Sequence, residues 1–191
     1  MQILVVSSQD HARRAEVEDF IADVYRQHYG ACVPTFPQTL IALLGQSGEC
    51  VCASGLRFAE TGFFSECYLD QPIETLLTRA TGRAVRRSSI FEVSGLASRA
   101  PRNSAQFLRY IVSYGKRAEF DWAFFTATSR LRCLLGVLGL PVLMLGEAEK
   151  QRANNPRVWG SYYDRRPQVC AISRATAQGF LNSKPASLGH V

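Results

Sequence analysis

The chain has 191 residues, 47% apolar and 20% charged, enough for one packed core, which excludes both wholesale disorder and two full-sized independent domains. Basic residues outnumber acidic ones 22 to 16, a net charge of +6, and all but Lys116, Lys150 and Lys184 are arginines, the side chain that grips phosphate and carboxylate with paired bonds. An anionic partner is favoured, while six cysteines without C-x-x-C spacing argue against a zinc site or a disulfide framework and read as buried thiols.

The opening QILVV (2–6) reads as a strand. Its apolar run is too short for an export signal and is followed, not preceded, by basic residues, so a cytoplasmic location is expected. Val17, Phe20, Ile21, Val24 and His28 share one face of a helix over about 11–29, with Asp10 as its cap and His28 turned into the core. Residues 31–48, interrupted by Pro34 and Pro37, read as a loop with a short helix, and 49–58 and 62–69 as adjacent strands. Pro72 opens a short helix closed by Gly82, with Asp70 a candidate cap, and 88–97 is a central strand. Ser104 is expected to cap a helix to about 118, followed by a strand (121–128), a helix (129–140) and a strand (142–148). A polar, aromatic-bearing excursion (150–166) then leads to a last strand, 167–173. The most apolar run, 133–146, is broken by Pro141 and falls short of the roughly 20 residues that cross a bilayer. No linker divides the chain, so a single domain is expected over 1–181 with a loose tail over 182–191.

Two features carry chemistry. Glu92 lies between Phe91 and Val93 in the central strand, where partial burial raises a carboxyl toward the range of a general base; the plain alternative is a salt bridge to Arg57 on a neighbouring strand. The segment SRAPRNS (98–104) sets Arg99, Arg102, Asn103 and Ser104 at a helix start, where free N–H groups attract a phosphate; an ordinary basic loop is the alternative.

This order of elements resembles the GNAT acyltransferase fold. Four stretches further resemble the thermostable hemolysin family: GLRFAETGFFSECYLDQPIETLL (55–77), SIFEVSGLAS (89–98), DWAFFTATSRLRCLLGVLGL (121–140) and WGSYYDRRPQV (159–169). The likeness spans roughly residues 10–180. Matching positions are Arg57, Glu66, Tyr68, Asp70, Glu74, Glu92, Thr126, Arg132, Trp159, Tyr162 and Tyr163. Where the family strand usually reads EVGNLA, Ser94 and Gly95 here replace a Gly and an Asn. The resemblance implies an α/β (α+β) three-layer fold, a central mixed twisted sheet with helices on both faces, akin to the acyl-homoserine lactone synthases. It also implies N-acyl transfer from an acyl thioester, on acyl carrier protein (ACP) or coenzyme A (CoA), to a small amine or amino-acid-like acceptor.

On that reading the pantetheine arm lies between strands 88–97 and 121–128, with Glu92 as base. The donor side is assigned Ser94, Leu96, Ala97, Arg99, Arg102, Asn103, Ser104, Thr126 and Arg132. The acceptor side is assigned Arg57, Glu66, Asp70, Trp159, Tyr162 and Tyr163. Phe124, Phe125 and Leu138 read first as plain core packing, with the lining of an acyl channel the alternative. Cys67 has no histidine nearby to activate it. The proline and missing glycine of SRAPRNSA fit a CoA pyrophosphate poorly, which favours acyl-ACP or long-chain acyl-CoA over acetyl-CoA. The competing readings are a membrane-active cytolysin, against which the absent spanning segment counts, and a non-catalytic module that binds an acyl carrier. No metal, nucleic acid or membrane contact is expected, and the oligomeric state is left open, a dimer included.

Overall fold

The computed structural model describes residues 1–182; the tail expected to be loose falls, from residue 183 on, outside the described residues. Seven strands form one sheet: β1 (Gln2–Val6), β2 (Thr39–Leu44), β3 (Cys50–Phe58), β4 (Ile90–Ser98), β5 (Trp122–Ala127), β6 (Leu143–Glu147) and β7 (Gln168–Ser173), in the order β1-β2-β3-β4-β5-β7-β6. Neighbours run antiparallel except β4 and β5, which are parallel. Because side chains alternate across a strand, Phe91, Val93 and Phe125 reach one face, where α3 (Pro101–Arg117), α4 (Ser129–Val137) and α5 (Arg174–Asn182) pack. Ala53, Ala97 and Phe124 reach the other, beneath α1 (His11–Tyr29), α2 (Ile73–Thr81) and the 150–166 segment. This is the three-layer arrangement with helices on both faces.

Asp10 caps α1, its Oδ1 accepting from the Arg13 amide at 3.3 Å, and Val17, Phe20, Ile21 and Val24 are buried as their spacing predicts. His28 is exposed, not inward, because the last turn of α1 stands over the mouth of a cavity rather than over the sheet. TLIALL is a strand, not a loop or short helix: β2 is covered on both faces, so its unbroken apolar run carries no period that separates it from a buried helix. Residues 62–69 are not a strand. Ser65–Tyr68 form a 3₁₀ turn, since the Phe64 and Ser65 amides are taken by a carboxylate instead of a neighbouring strand. α3 starts at Pro101, whose fixed φ suits a first helical residue, and Ser104 is therefore inside the first turn, donating to Ser98 Oγ at 3.1 Å, rather than at the cap. Asp70 does not cap α2 either; the Glu66 carboxylate accepts from the Ile73 amide at 3.0 Å. α4 ends at Val137, short of 140, and α5 stands where no element was read. Cys32 and Cys133 are exposed, so only part of the thiol set is buried.

The central pair of strands positions the site. β4 and β5 pair only at Ile90↔Trp122, Phe91↔Ala123 and Glu92↔Phe124, although β4 continues to Ser98 and β5 to Ala127. On its other edge β4 carries a bulge: between Gly55↔Ser94 and Ala53↔Ala97, Gly95 and Leu96 stand against the single Ser54. The Ser54 hydroxyl donates to the Ser94 carbonyl at 2.9 Å, and Gly95 has φ +62°. A bulge bends its strand, and here the bend begins where pairing with β5 ends. Position 95 thus needs a left-handed backbone, which Gly adopts freely and Asn tolerates, so Gly in place of the family's Asn preserves the turn.

Candidate functional site

The two strands part to leave a notch, and cavities open on both sides of it. On the α3–α5 face lies a cavity of about 750 Å³, walled by Val93, Phe107, Leu108, Ile111, Phe125 and Leu134. Phe125 lines it, whereas Phe124 faces the opposite layer and Leu138 packs in the core, the plain packing that strand alternation and the early end of α4 dictate. Its mouth carries Arg99, Arg130 and Arg165, all exposed, beside His28. On the α1 face a cavity of about 60 Å³ is lined by Arg57, Phe64, Ser65, Trp159 and Tyr162, among others. Tyr25, Val93, Gly95, Thr126 and Tyr162 border both.

Glu92 sits at the last paired position, fully buried (0% exposed) on the side of the smaller cavity. Its Oε2 accepts from the Phe64 amide at 2.6 Å. Its Oε1 accepts from the Ser65 amide at 2.9 Å and the Ser65 hydroxyl at 2.6 Å. Thr126 Oγ1 in turn donates to Ser65 Oγ at 2.8 Å. Burial pushes the Glu92 carboxyl above its ordinary value of 4.5, opposed by the Ser65 and Phe64 bonds and by the charge of Arg57. Arg57 is Glu92's cross-strand partner, yet among the described residues it makes no ion pair. The salt-bridge alternative for Glu92 is replaced by a carboxylate held on backbone and hydroxyl donors.

The acceptor-side residues separate into two groups. Arg57, Trp159 and Tyr162 line the smaller cavity, while Tyr163 is next to it, its hydroxyl 2.7 Å from that of Tyr68. Glu66 and Asp70 are not brought to Arg57. Arg87 forks onto Glu66 at 2.6 and 2.7 Å and holds Glu74 at 3.0 Å, and Asp70 pairs with Arg152 at 2.7 Å. Burial pushes the Glu66 carboxyl up, but the Arg87 and Ile73 bonds outweigh it and hold it below its ordinary value. Burial and the charge of Glu92 push the Cys67 thiol up, away from a nucleophilic thiolate.

On the donor side, Ser94 borders the smaller cavity, and Leu96, Arg99 and Ser104 the larger, while Ala97 is buried beneath α1. Arg99 lies over Phe20 and pairs with Asp23 at 3.3 Å; Arg102 is exposed on α3, with Asn103 beside it. Arg132 donates to the carbonyls of Ala127 and Arg166, tying the end of β5 to the last loop and leaving it outside both cavities. Sequence reasoning passed over Ser65, Tyr25, Arg130 and Arg165. Nothing local marks them, whereas the glycine inside a strand pattern at 95 was a readable sign of the bulge.

The WGSYY segment is fastened to the end of α1. The Ser161 amide donates to the Tyr29 carbonyl at 2.8 Å, and a Cβ at Gly160 would meet that oxygen at 2.0 Å. Trp159 and Tyr162 are thereby laid against Tyr25 as one wall of the smaller cavity. Among the described residues, no group of three or more His, Cys, Asp or Glu gathers as a metal site, and no helix is long and apolar enough to cross a membrane.

The profile of the thermostable hemolysin family matches residues 7–178. Comparison with curated proteins finds no match. Among solved structures, TofI in an apo form superposes with a TM-score of 0.65 at 14% identity, over 97% of this chain and 98% of that one. The acyl-homoserine lactone (AHL) synthase LasI gives 0.60 at 14%, over 100% and 95%. FeeM, an N-acyl amino acid synthase from uncultured soil microbes, gives 0.62 at 12%, over 92% and 96%. At these identities the likeness is one of fold: the chain has the GNAT-like architecture of acyltransferases.

Proposed function

This chain belongs to the thermostable hemolysin family, and we propose that it is an N-acyltransferase, a single domain over residues 1–181 that moves an acyl group from a carrier-protein or long-chain CoA thioester to a small amine. The observation that carries this reading is the notch: pairing of β4 and β5 stops at Glu92↔Phe124 while both strands run on. An extended pantetheine arm adds to the freed edge of β4 as a further strand would. The exposed arginines at the mouth, Arg99, Arg130 and Arg165, with Arg102 nearby, take its phosphate and the acidic surface of a carrier. The acyl chain enters the large apolar cavity.

The thioester carbonyl then stands at the bulge, where backbone N–H groups between Ser94 and Ala97 polarise it. The amine approaches from the smaller cavity. Its nitrogen attacks the carbonyl carbon, the C–N bond forms, the C–S bond breaks, and the pantetheine sulfur leaves as a thiolate. Glu92 itself is buried, but Ser65 lines the cavity and donates to it. The amine proton therefore passes to Ser65 Oγ as the Ser65 proton moves to Glu92, with Thr126 holding the hydroxyl in place. Return of that proton through Ser65 to the thiolate restores the carboxylate and completes the thiol.

A thermal-shift series with acetyl-CoA, octanoyl-CoA, palmitoyl-CoA and octanoyl-ACP tests the donor before the acceptor is known. The octanoyl and palmitoyl thioesters are expected to raise the melting temperature more than acetyl-CoA. An unchanged melting temperature with every thioester would sink the reading.

A further inference from the structure

Two residues that line the smaller cavity, Arg57 and Trp159, carry donors that the folded chain leaves unanswered. Arg57 Nε and Trp159 Nε1 are buried and have no hydrogen-bond partner among the described residues. Both residues line this cavity, flanking Phe64: the Arg57 guanidinium carbon is 6.0 Å from the Phe64 ring centroid, and the Trp159 ring 5.8 Å. Folded proteins satisfy buried N–H groups almost without exception, because a donor stripped of water and left unpaired keeps its full desolvation penalty. Two such donors on one cavity mark where a ligand's acceptor atoms belong.

The ligand group carries negative charge. The Arg57 guanidinium is a permanent cation without an ion-pair partner among the described residues, and the carboxylate across the strand from it is already engaged by Phe64 and Ser65. A planar group with two oxygens answers an Nε–H and an indole N–H together, which is the shape of a carboxylate. The ligand also carries its amine close to that carboxylate. Arg57 and Glu92 are register partners on adjacent strands, whose paired Cα atoms lie about 5 Å apart, so the anion site and the Ser65–Glu92 relay start from neighbouring backbone positions. An amine and a carboxylate on the same carbon meet that spacing. The volume of about 60 Å³ suits a short side chain.

We infer that the acceptor is a free α-amino acid with a small side chain, its carboxylate clamped by Arg57 and Trp159 and its amine set against Ser65. This rests on the acyl-transfer reading for the amine's fate, but the clamp is a binding site that can be measured without turnover.

Calorimetric titration of the full chain at pH 7.5 with L-alanine, L-serine, ethanolamine and inorganic phosphate, with and without octanoyl-CoA, tests it. Ethanolamine is serine without the carboxylate. The amino acids are expected to bind and ethanolamine not to, with affinity for the amino acids falling at least tenfold in Arg57→Gln and in Trp159→Phe, while phosphate, drawn to the arginines at the mouth of the larger cavity, binds both variants as it binds the wild type. Trp159→Phe keeps the ring packing and deletes only the N–H, so it stands if the arginine variant does not fold. Ethanolamine binding as tightly as serine, amino-acid affinity unchanged in the Trp159→Phe protein, or no amino-acid binding under either condition would overturn the inference. Amino-acid binding without acyl transfer would instead remove the enzymatic reading and leave the clamp standing. Acyl transfer to ethanolamine at the rate of serine would do the reverse.

Discussion

The two cavities on either side of the notch differ in size and in chemistry. The larger is walled by aliphatic and aromatic side chains from α3, α4 and β5; the smaller is lined by Arg57, Trp159 and Ser65, whose hydroxyl donates to the Glu92 carboxylate. Strand alternation accounts for the contrast. Val93 points to the first side and Glu92 to the second, so a single residue step along β4 crosses from the apolar cavity to the polar one. Both are bordered by Val93, Gly95 and Thr126, where β5 has parted from β4, and by Tyr25 and Tyr162. On the proposed reading, two reactants held in these two cavities are oriented before they react, which is where much of a bimolecular barrier is removed.

Glu92→Gln breaks the polar side outright. Loss of the proton acceptor is expected to lower kcat by about 10² to 10⁴, read as thiol release from the thioester. The amide also faces the Phe64 or Ser65 N–H donor to donor, so denaturant unfolding should show a loss of about 1–3 kcal/mol. Burial raises this carboxyl above 4.5, so wild-type kcat should rise with pH through a midpoint above that value, and the acid limb should vanish in the variant. The sign for stability is opposite. The folded chain retains this proton to higher pH than the unfolded one, so the Glu92 contribution is greatest below the unfolded value and declines as pH climbs through the folded one.

Ile111→Trp tests the apolar side by filling the wall of the larger cavity. Long-chain donors should lose about 10- to 200-fold in kcat/KM while short ones change little, the range that misfit of a methylene or two produces. Equal loss for all chain lengths would mean that the chain lies elsewhere.

Gly160→Ala asks how the smaller cavity is walled. Its Cβ would press on the Tyr29 carbonyl, at φ +51° and ψ −127°, a backbone that side chains avoid. A destabilisation of about 1–3 kcal/mol is expected by chemical denaturation, with KM for the acceptor rising before that for the donor. The smallest effect is at the rim. Arg99→Ala with Arg165→Ala should raise KM several-fold for an ACP-borne donor at low salt, and the difference from wild type should shrink at high salt, measured by steady-state kinetics.

The helices α1 and α3 were legible in the sequence because apolar side chains recur at helical spacing, and β3, β4 and β5 because short apolar runs stand between turn residues. β2 was not, since a strand covered on both faces has no alternation to read. The 62–69 segment was not, since its amides are claimed by Glu92, 28 residues away from Phe64 along the chain. Within the site, Glu92 declared itself as a charge in a central strand. Glu66 and Asp70 looked equally functional in YLDQPIE, yet Arg87 and Arg152, distant in sequence, take them.

The sequence by itself thus determined a mixed α/β chain with one carboxylate in its centre, arginine in place of lysine, and the local signals for each periodic element. The tertiary structure alone decided that β4 and β5 part after Glu92, that Arg57 and Trp159 keep unanswered donors at one cavity, and that an apolar chamber opens on the opposite face. Those outcomes depend on which distant groups reach one another across the sheet, and a local pattern of residues records its own periodicity but not its partners.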